Sequence, residues 1–312
     1  KAGSDDNSIF GAGGVVVVGG TLDLNGFDLR LEGLLLGGGE SGSTAAVNIG
    51  SSLLTLGGNI TYSADNNPLG ATITAAVSDC ALSLGGATRQ VFVEDSSRAA
   101  VDLVIDARIT DGGAPAGLVK LGNGTLVLSG DNAFTAPVSV HGGVLSIASM
   151  ANLGAAASVN LGATLQITGT SPVVFDKNIL MTANGTLDIA NPAGVTLTGQ
   201  LFGAANLTKT GAGDLTLSGA TLYTGTTTIS GAGGLILGHR DALQFSTLNS
   251  SANVTFASAV GGTFTLGGLA GSSGMVLEDS ASAPITLEVV GNGSTYTGVL
   301  SGSGGLTKIG QN

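Results

Sequence analysis

The chain has 312 residues, with 21 acidic and 10 basic side chains and a formal net charge of −11. The few basic residues are scattered, so we predict neither a nucleic-acid partner nor attraction to anionic lipid. With 43% apolar and 10% charged residues the chain has ample material for a core, which argues against disorder. No apolar run approaches the roughly 18 residues of a membrane-spanning helix, so we predict no membrane insertion by this segment.

Short phrases of the form Thr-Leu-x-Leu, each followed by glycine or a polar turn, recur along the whole chain. Alternation with a period of two predicts a strand with one buried face, and Gly, Asn or Asp after it predicts a corner. Segment 95–109 is the nearest to a helical pattern, but the alternation of Val101, Leu103 and Ile105 favours a strand. In chain order the phrases begin at Thr21, Leu54, Leu82, Thr125, Thr164, Thr186, Leu215 and Thr263.

A longer pattern recurs three times. Its copies are GLVKLGNGTLVLSG at 117–130, NLTKTGAGDLTLSG at 206–219 and GLTKIGQN at 305–312, where the sequence given stops inside the pattern. The chain is therefore expected to be a segment of a larger repeat protein, with copies near 117–147, 206–238 and, truncated, 305–312. A lysine takes the same place in each copy: Lys120, Lys209 and Lys308.

Stacked coils explain this composition. In a β-solenoid each strand pairs with the coil above and the coil below at about 4.8 Å, so side chains repeat in rows along the axis. Inward rows require Leu, Val or Ile, outward rows tolerate Thr and Ser, and like charges stacked in register would repel. The sequence predicts an all-β solenoid, an elongated rod running through residues 1–312 as a single continuous segment.

The segments NLTKTGAGDLTLSGATLYTGTTTISGAGGLILG (206–238) and GLVKLGNGTLVLSGDNAFTAPVSVHGGVLSI (117–147) resemble the autotransporter-associated β-strand repeat, also called the passenger-associated transport repeat. The copy at 117–147 departs from the pattern at Ala136-Pro137, where Gly-x-Thr is expected. The resemblance implies a right-handed parallel β-helix displayed on or secreted from a Gram-negative-type bacterium. It further implies that the repeat serves secretion and folding of the passenger.

The sequence leaves three functions open. The first is a structural or surface-interaction segment of a large secreted passenger, acting as stalk, scaffold or adhesin and not as an enzyme. The second is a carbohydrate-active β-helix enzyme, a polysaccharide lyase or hydrolase. The third is a carbohydrate- or host-binding module, disfavoured because the chain has no Trp and three Tyr, Tyr62, Tyr223 and Tyr296, as stacking platforms. Expected partners are neighbouring coils of the same chain, further copies in fibres or a surface layer, and a host or matrix ligand.

Hydrolysis of a glycosidic bond needs two carboxylic acids at a defined separation, so pairs of acidic residues are the candidates for this chemistry. Adjacent acids on a strand point to opposite faces, so Glu94/Asp95 and Glu278/Asp279 would converge only in a turn. The apolar alternation around Asp102 and Asp106 predicts that both face solvent, where a solubilising role is the default. The candidate pairs are Asp5/Asp6, Glu94/Asp95, Asp102/Asp106 and Glu278/Asp279.

Histidine, cysteine and turn motifs offer little further chemistry. His141 is expected at a corner, and His239-Arg240-Asp241 in a polar loop. Cys80 is expected to be a buried small hydrophobe. The turns at 111–113, 130–132 and 211–214 and the glycines at 37–39 are interpreted as ordinary corners, not calcium or phosphate sites. We therefore predict no catalytic, cofactor-binding or metal-binding residue, and no cofactor.

Overall fold

A computed structural model describes residues 14–76, 80–291 and 293–310. The chain divides into two compact units, Lys1–Val159 and Asn160–Asn312. Asp5 and Asp6, one of the candidate acidic pairs, lie outside the described residues, as do the last two residues of the truncated third repeat copy.

The first unit consists of short strands with one turn of 3₁₀ helix, Met150–Leu153, after the last of them. The strands are β1 (Val15–Val17), β2 (Gly20–Asp23), β3 (Leu29–Leu31), β4 (Leu34–Gly37), β5 (Ala45–Asn48), β6 (Leu53–Leu56), β7 (Ile60–Ser63), β8 (Ala71–Thr74), β9 (Ala81–Ser83), β10 (Arg89–Val93), β11 (Leu103–Ile105), β12 (Arg108–Thr110), β13 (Leu118–Leu121), β14 (Thr125–Leu128), β15 (Val138–Val140) and β16 (Val144–Ile147).

The second unit is also built of β-strands, most of them short. Strand β17 (Ser158–Leu161) has residues in both units. The others are β18 (Thr164–Ile167), β19 (Val173–Phe175), β20 (Asn178–Met181), β21 (Gly185–Ile189), β22 (Val195–Leu197), β23 (Leu201–Gly203), β24 (Leu207–Thr210), β25 (Leu215–Leu217), β26 (Leu222–Tyr223), β27 (Thr226–Ile229), β28 (Leu235–Leu237), β29 (Leu243–Ser250), β30 (Val254–Phe256), β31 (Gly262–Gly271), β32 (Met275–Val276), β33 (Ile285–Val289), β34 (Leu300–Ser301) and β35 (Gly305–Lys308).

In the first unit the chain visits three parallel sheets in turn, and one circuit through them is one coil. The first sheet has the order β1-β4-β7-β10-β13-β15, the second β2-β5-β8-β11-β14-β16 and the third β3-β6-β9-β12. Each strand therefore pairs with the equivalent strand of the next coil, as in β4 with β7, where Leu34 lies opposite Ile60. This is the topology of a parallel β-solenoid.

The second unit repeats this construction. Its longest sheet has the order β18-β21-β24-β27-β29-β31-β33-β35, and beside it lie the sheets β19-β22-β25-β28-β30, β20-β23-β26 and β32-β34. Residues that pair between neighbouring coils are 20 positions apart from β25 to β28 in this unit, whereas they are 31 positions apart from β7 to β10 in the first unit. The strands of both coils are short, so the longer coil of the first unit has its extra residues in the corners.

The core is made of aliphatic rows that run from coil to coil. In the first unit Val47, Ile73, Ile105, Leu128 and Ile147 succeed one another in register and are all buried. In a strand alternate residues face the same side, so the Leu-x-Leu phrases supply one row from each leucine. Full burial of each such side chain stabilises the fold by about 1.5–3 kcal/mol.

The prediction of an all-β fold of stacked parallel strands is confirmed. Each of the Thr-Leu-x-Leu phrases lies on a strand, for example 125–128 on β14 and 164–167 on β18. Segment 95–109 contains no helix; it contains the strand β11, with Leu103 and Ile105 of the predicted alternation, and the start of β12. Glycine, asparagine and aspartate occupy the corners between strands.

Candidate functional site

The repeat lysine of the first copy points into the core. Lys120 is the third residue of β13, where it shares the inward face with Leu118, and its side chain is 1% exposed. Its neighbours in the same row are Val91 of the preceding coil and Val140 of the following one. A cation therefore lies in a row that is otherwise aliphatic.

Backbone carbonyl groups surround the Lys120 ammonium. Nζ donates to the carbonyl oxygen of Leu121, the last residue of β13, at 2.9 Å and to that of Gly122, in the corner that follows, at 3.0 Å. It also donates to the carbonyl oxygen of Gly142, at 3.0 Å, in the equivalent corner of the next coil. An ammonium has three donors, and these three acceptors match them. Burial lowers the pKa of Lys120 to about 8, although the charge of Asp102 acts in the opposite direction.

Lys209 occupies the same place in the second copy. It lies on β24, is fully buried, and its Nζ donates to the carbonyl oxygen of Gly211 at 3.2 Å. Burial lowers the pKa of Lys209, opposed by the charges of Asp214 and Asp188. A Cβ atom built on Gly233, in the corner of the next coil, would clash with the carbonyl oxygen of Gly213 and lie 2.6 Å from Lys209 Nζ, so only glycine fits at this place.

Lys308 takes this place in the third copy, on the exposed strand β35. Its Nζ donates to the carbonyl oxygen of Ile309 at 2.6 Å, which is the counterpart of the bond from Lys120 to Leu121. Each of the three lysines therefore donates to a carbonyl oxygen one or two residues after it, at the end of its strand or in the corner that follows.

A buried tyrosine joins two coils in the second repeat copy. The Tyr223 hydroxyl donates to the carbonyl oxygen of Thr226 at 2.6 Å and accepts from the Leu207 N–H at 2.7 Å. Leu207 belongs to the preceding coil, so one hydroxyl satisfies a backbone group in each of two coils. A Cβ atom on Gly225 would lie 2.8 Å from the hydroxyl, so glycine makes room for this contact. Burial raises the pKa of Tyr223 to about 12.

The same Tyr-Thr-Gly arrangement recurs before the third copy. The Tyr296 hydroxyl donates to the carbonyl oxygen of Ser273 in the preceding coil, and a Cβ atom on Gly298 would lie 2.5 Å from it. In the first copy Phe134 is buried at the tyrosine position, and Ala136 stands where the glycine would be. The departure from the repeat pattern at Ala136 thus accompanies the loss of the hydroxyl.

The tyrosines are poorly placed as sugar-stacking platforms. Tyr62 and Tyr223 are fully buried and Tyr296 is half-buried. Burial raises the pKa of Tyr62 to about 12, and the nearby charge of Asp102 adds to this shift. The rings of Tyr62 and Tyr223 are therefore enclosed by the protein, where a sugar could not stack on them.

The prediction that Asp102 faces solvent is wrong. Its side chain is 2% exposed, and its two carboxylate oxygens accept from the backbone N–H groups of Ser96 and Thr125, each at 2.8 Å. Asp102 precedes β11, so the alternation of that strand does not reach it. Burial raises the pKa of Asp102, as does the charge of Asp95, against the two hydrogen bonds and the charge of Lys120. The side chain closes a corner between two coils.

Asp106 is exposed, as predicted, and its Oδ1 accepts from the Ser129 hydroxyl at 2.8 Å. Asp102 and Asp106 are therefore in unlike surroundings, one enclosed by backbone N–H groups and the other in solvent. The structure does not combine them into one solvent-facing pair.

Neither adjacent acidic pair lies within a regular strand: Glu94 and Asp95 directly follow β10, and Glu278 and Asp279 each form an isolated β-bridge. Glu94 follows β10, and its Oε2 accepts from the Ala64 N–H at 3.0 Å, whereas Asp95 is exposed. Glu278 Oε1 accepts from the Ser303 N–H at 2.8 Å. Asp279 Oδ1 accepts from two backbone N–H groups within its own turn, at 2.8 and 3.0 Å. Glu94, Glu278 and Asp279 therefore hold backbone in place.

Both histidines lie where the sequence placed them. His141 is exposed and directly follows β15 at a corner. His239 lies in a turn, where its Nδ1 accepts from the Asp241 N–H at 3.0 Å. Arg240 donates to the carbonyl oxygens of Val260 and Gly261, at 2.7 and 2.8 Å. The His-Arg-Asp run is thus a loop braced against the next coil.

The turn acids serve as caps for backbone N–H groups. Asp214 Oδ1 accepts from the Gly234 N–H of the next coil at 2.7 Å. Asp111 accepts from the N–H groups of Ala116 and Thr135, both at 2.9 Å, and from the Thr135 hydroxyl at 2.8 Å. Partial burial would raise the pKa of Asp111, but these hydrogen bonds together lower it.

Within the described ranges, no group of three or more His, Cys, Asp or Glu residues could hold a metal ion. Asn132 in the 130–132 turn accepts from the Ile109 N–H at 2.8 Å, and Gly37 ends β4 with a positive φ of 79°. Cys80 is a buried free thiol, as expected. The absence of catalytic, metal and cofactor residues stays a prediction.

Sequence reasoning identified the repeat lysines as markers but not their role. The signal was present, because Lys120 and Lys209 have the same parity as the inward leucines Leu118 and Leu207. Parity alone, however, does not show that carbonyl groups of a corner 22 residues later would receive the ammonium.

Stacked parallel strands, aliphatic rows and corners closed by buried lysine, tyrosine and aspartate define this chain as a parallel β-solenoid. The family described as Passenger-associated-transport-repeat matches residues 118–147 and 207–237. These are the two complete copies recognised in the sequence, so that resemblance is confirmed.

The chain is also similar to the Adhesin BmaC autotransporter of Brucella suis biovar 1 (strain 1330). The two sequences are 34% identical over 161 residues. This region covers 48% of the present chain but 5% of the length of that adhesin. No solved structure matches the chain. Among the described residues, no helix is long and apolar enough to cross a membrane.

Proposed function

We propose that this chain is a structural and surface-interaction segment of a large, secreted, autotransporter-like passenger of a Gram-negative-type bacterium. It acts as a stalk, scaffold or adhesin outside the cell. The observation that carries the proposal is the repeat itself. It matches a passenger-associated family twice, and its strands pair with those of the neighbouring coils. The name of the similar Brucella protein, an autotransporter adhesin, supports the same role.

The mechanism of such a segment is mechanical. Each coil offers its backbone N–H and C=O groups to the next, and the side chains of Asp102, Asp214 and Tyr223 close the corners between coils. A passenger built in this way gains stability from each added coil without needing a deep core. It carries its outward rows as a continuous surface, to which a host or matrix ligand, or a second copy, would bind.

The test compares bacteria that carry the full-length protein with bacteria carrying an in-frame deletion of residues 1–312. Surface display is measured with an antibody against another part of the protein, and attachment is measured on host cells and on matrix components. Loss of attachment with normal display supports an adhesin, whereas loss of display supports a scaffold for secretion. Unchanged display and unchanged attachment would contradict the proposal.

The enzymatic alternative has its own test. The full-length protein is incubated with a panel of polysaccharides, and new reducing or unsaturated ends are measured. We expect no turnover. Turnover that disappears in the exposed-acid variants Asp95→Asn and Asp106→Asn, with unchanged circular dichroism, would replace the structural proposal by a catalytic one.

A further inference from the structure

The repeat lysine contacts the coil that follows it as well as its own corner. Lys120 Nζ donates to Gly142 O, which lies 22 residues later in the next coil. In the second copy Lys209 Nζ donates to Gly211 O of its own corner and packs beside Gly233 of the next coil, where a Cβ atom would lie 2.6 Å from it. Two repeat copies, each within its own unit, thus oppose a buried ammonium to a glycine corner of the following coil.

Aliphatic rows alone specify the register of such coils weakly. A slip of two residues keeps every side chain on its own face, so Leu, Val and Ile would still be buried. The strands next to the lysines offer similar residues at alternate positions, Val138 and Val140 on β15 and Thr227 and Ile229 on β27. The free energy gained from burying apolar surface is therefore similar in the native and in the slipped register.

The buried ammonium distinguishes them strongly. A two-residue slip moves the next corner by about 6.6 Å along the strand, which removes the Gly142 carbonyl from Lys120 Nζ. In the second copy the same slip separates Lys209 Nζ from the glycine corner that it packs against, while its acceptor, Gly211 O, lies in its own coil. A buried ion that loses a hydrogen-bond acceptor is strongly destabilised, whereas a methionine in its place would not be.

We propose that Lys120, through its hydrogen bond to Gly142 O, and Lys209, through its packing beside Gly233, are register-setting residues that admit the following coil in a single register. They act by positioning strands and not through chemistry. The inference concerns assembly of the solenoid and stands whether or not the chain is an adhesin.

The experiment uses cysteine pairs on outward positions of neighbouring strands, in the full chain with Cys80→Ala. In the native register Val119 lies opposite Ser139, so Val119→Cys with Ser139→Cys reports that register. Val119→Cys with His141→Cys reports a slip of two residues. The protein is unfolded, refolded and oxidised, and the fraction of each pair that forms a disulfide is measured by mass spectrometry, with and without Lys120→Met.

With Lys120 present, we expect the native pair to form in large excess over the slipped pair. Lys120→Met should raise the slipped product about ten-fold relative to the native one, while the protein still refolds to a β-sheet spectrum. The matched control Leu128→Met makes a similar change in an aliphatic row and should leave the ratio as it is. An unchanged ratio in Lys120→Met would overturn the proposal.

The second copy gives an independent measurement. Thr208 lies opposite Thr228, so the pairs are Thr208→Cys with Thr228→Cys for the native register and Thr208→Cys with Ser230→Cys for the slipped one. Lys209→Met should again raise the slipped product. If both methionine variants failed to fold, the proposal would be overturned as well, since it requires that the aliphatic rows fold without the lysine.

Discussion

A buried lysine makes the stability of this fold depend on pH in the alkaline range. The pKa of Lys120 is about 8 in the folded chain and 10.5 when the side chain is free. Between these values the unfolded chain binds more protons, so the free energy of unfolding rises with pH. Below pH 8 both states are protonated, and the full cost of burying the charge is present.

We therefore expect the free energy of unfolding to increase by roughly 2 kcal/mol from about pH 8 to pH 9.5 because of Lys120. Lys120→Met should reduce this slope, leaving the part that comes from Lys209, whose pKa burial also lowers. The measurement is urea denaturation followed by circular dichroism, kept below the pH at which tyrosines of the unfolded chain ionise. Lys308→Met is the control, since it alters the exposed lysine. A slope that is the same in wild type and Lys120→Met would contradict this assignment.

Asp102 gives a second prediction for a single residue. An asparagine at this position keeps one acceptor oxygen, but its NH₂ group would face the N–H of Ser96 or Thr125. One buried N–H would then lack a partner, so Asp102→Asn should lower the free energy of unfolding by about 1–3 kcal/mol. The exposed Asp106→Asn should change it by less than about 0.5 kcal/mol. Equal effects of the two substitutions would show that Asp102 is not the buried cap described above.

At the scale of one corner, the Tyr-Thr-Gly clip joins two coils through a single oxygen. Tyr223→Phe removes this oxygen and leaves the Leu207 N–H and the Thr226 C=O without it. We expect a loss of about 1–3 kcal/mol in the free energy of unfolding, because buried backbone groups without partners are costly. Tyr296→Phe should cost less, since that residue is only half-buried. Thermal unfolding of both variants measures which substitution destabilises the fold more. A Tyr223→Phe variant as stable as the wild type would contradict the role given to this hydroxyl.

The strands of this fold could be predicted from the sequence, because strand formation here depends on local alternation. Leu126 and Leu128 on β14 face inward for a reason visible within four residues. The corners were predicted as turns, but not their side-chain caps. Asp102 was misjudged because its partner Thr125 lies 23 residues away, in a coil whose register the sequence does not give.

The burial of the lysines also could not be predicted from the sequence, because it depends on contacts with the next coil. Their parity with leucine indicated burial, yet charge argued for solvent, and local reasoning could not choose between these. The choice depends on three carbonyl groups, one of which belongs to the next coil. Contacts between coils, which decide the polar part of the interior, are therefore the part that sequence alone did not supply.

For the whole chain, net charge opposes association while exposed apolar residues favour it. The formal charge is −11 at pH 7, and the sequence pI is about 4.3. Large apolar side chains remain exposed on the outward strand faces of both units, among them Val16 and Phe92 in the first and Leu222 in the second. Mutual repulsion of acidic copies keeps such surfaces apart at neutral pH and low salt.

Association should therefore be strongest near pH 4.3, where the net charge vanishes, and weakest at pH 7 in low salt. Added salt at pH 7 should restore part of it, because screening shortens the range of repulsion to about 8–10 Å. Static light scattering across pH and salt gives the measurement. The double variant Phe92→Ser and Leu222→Ser leaves the pI unchanged, so a lower scattering maximum at the same pH would assign the attraction to these faces. Scattering that is indifferent to pH would instead mean that charge does not control the contact between copies.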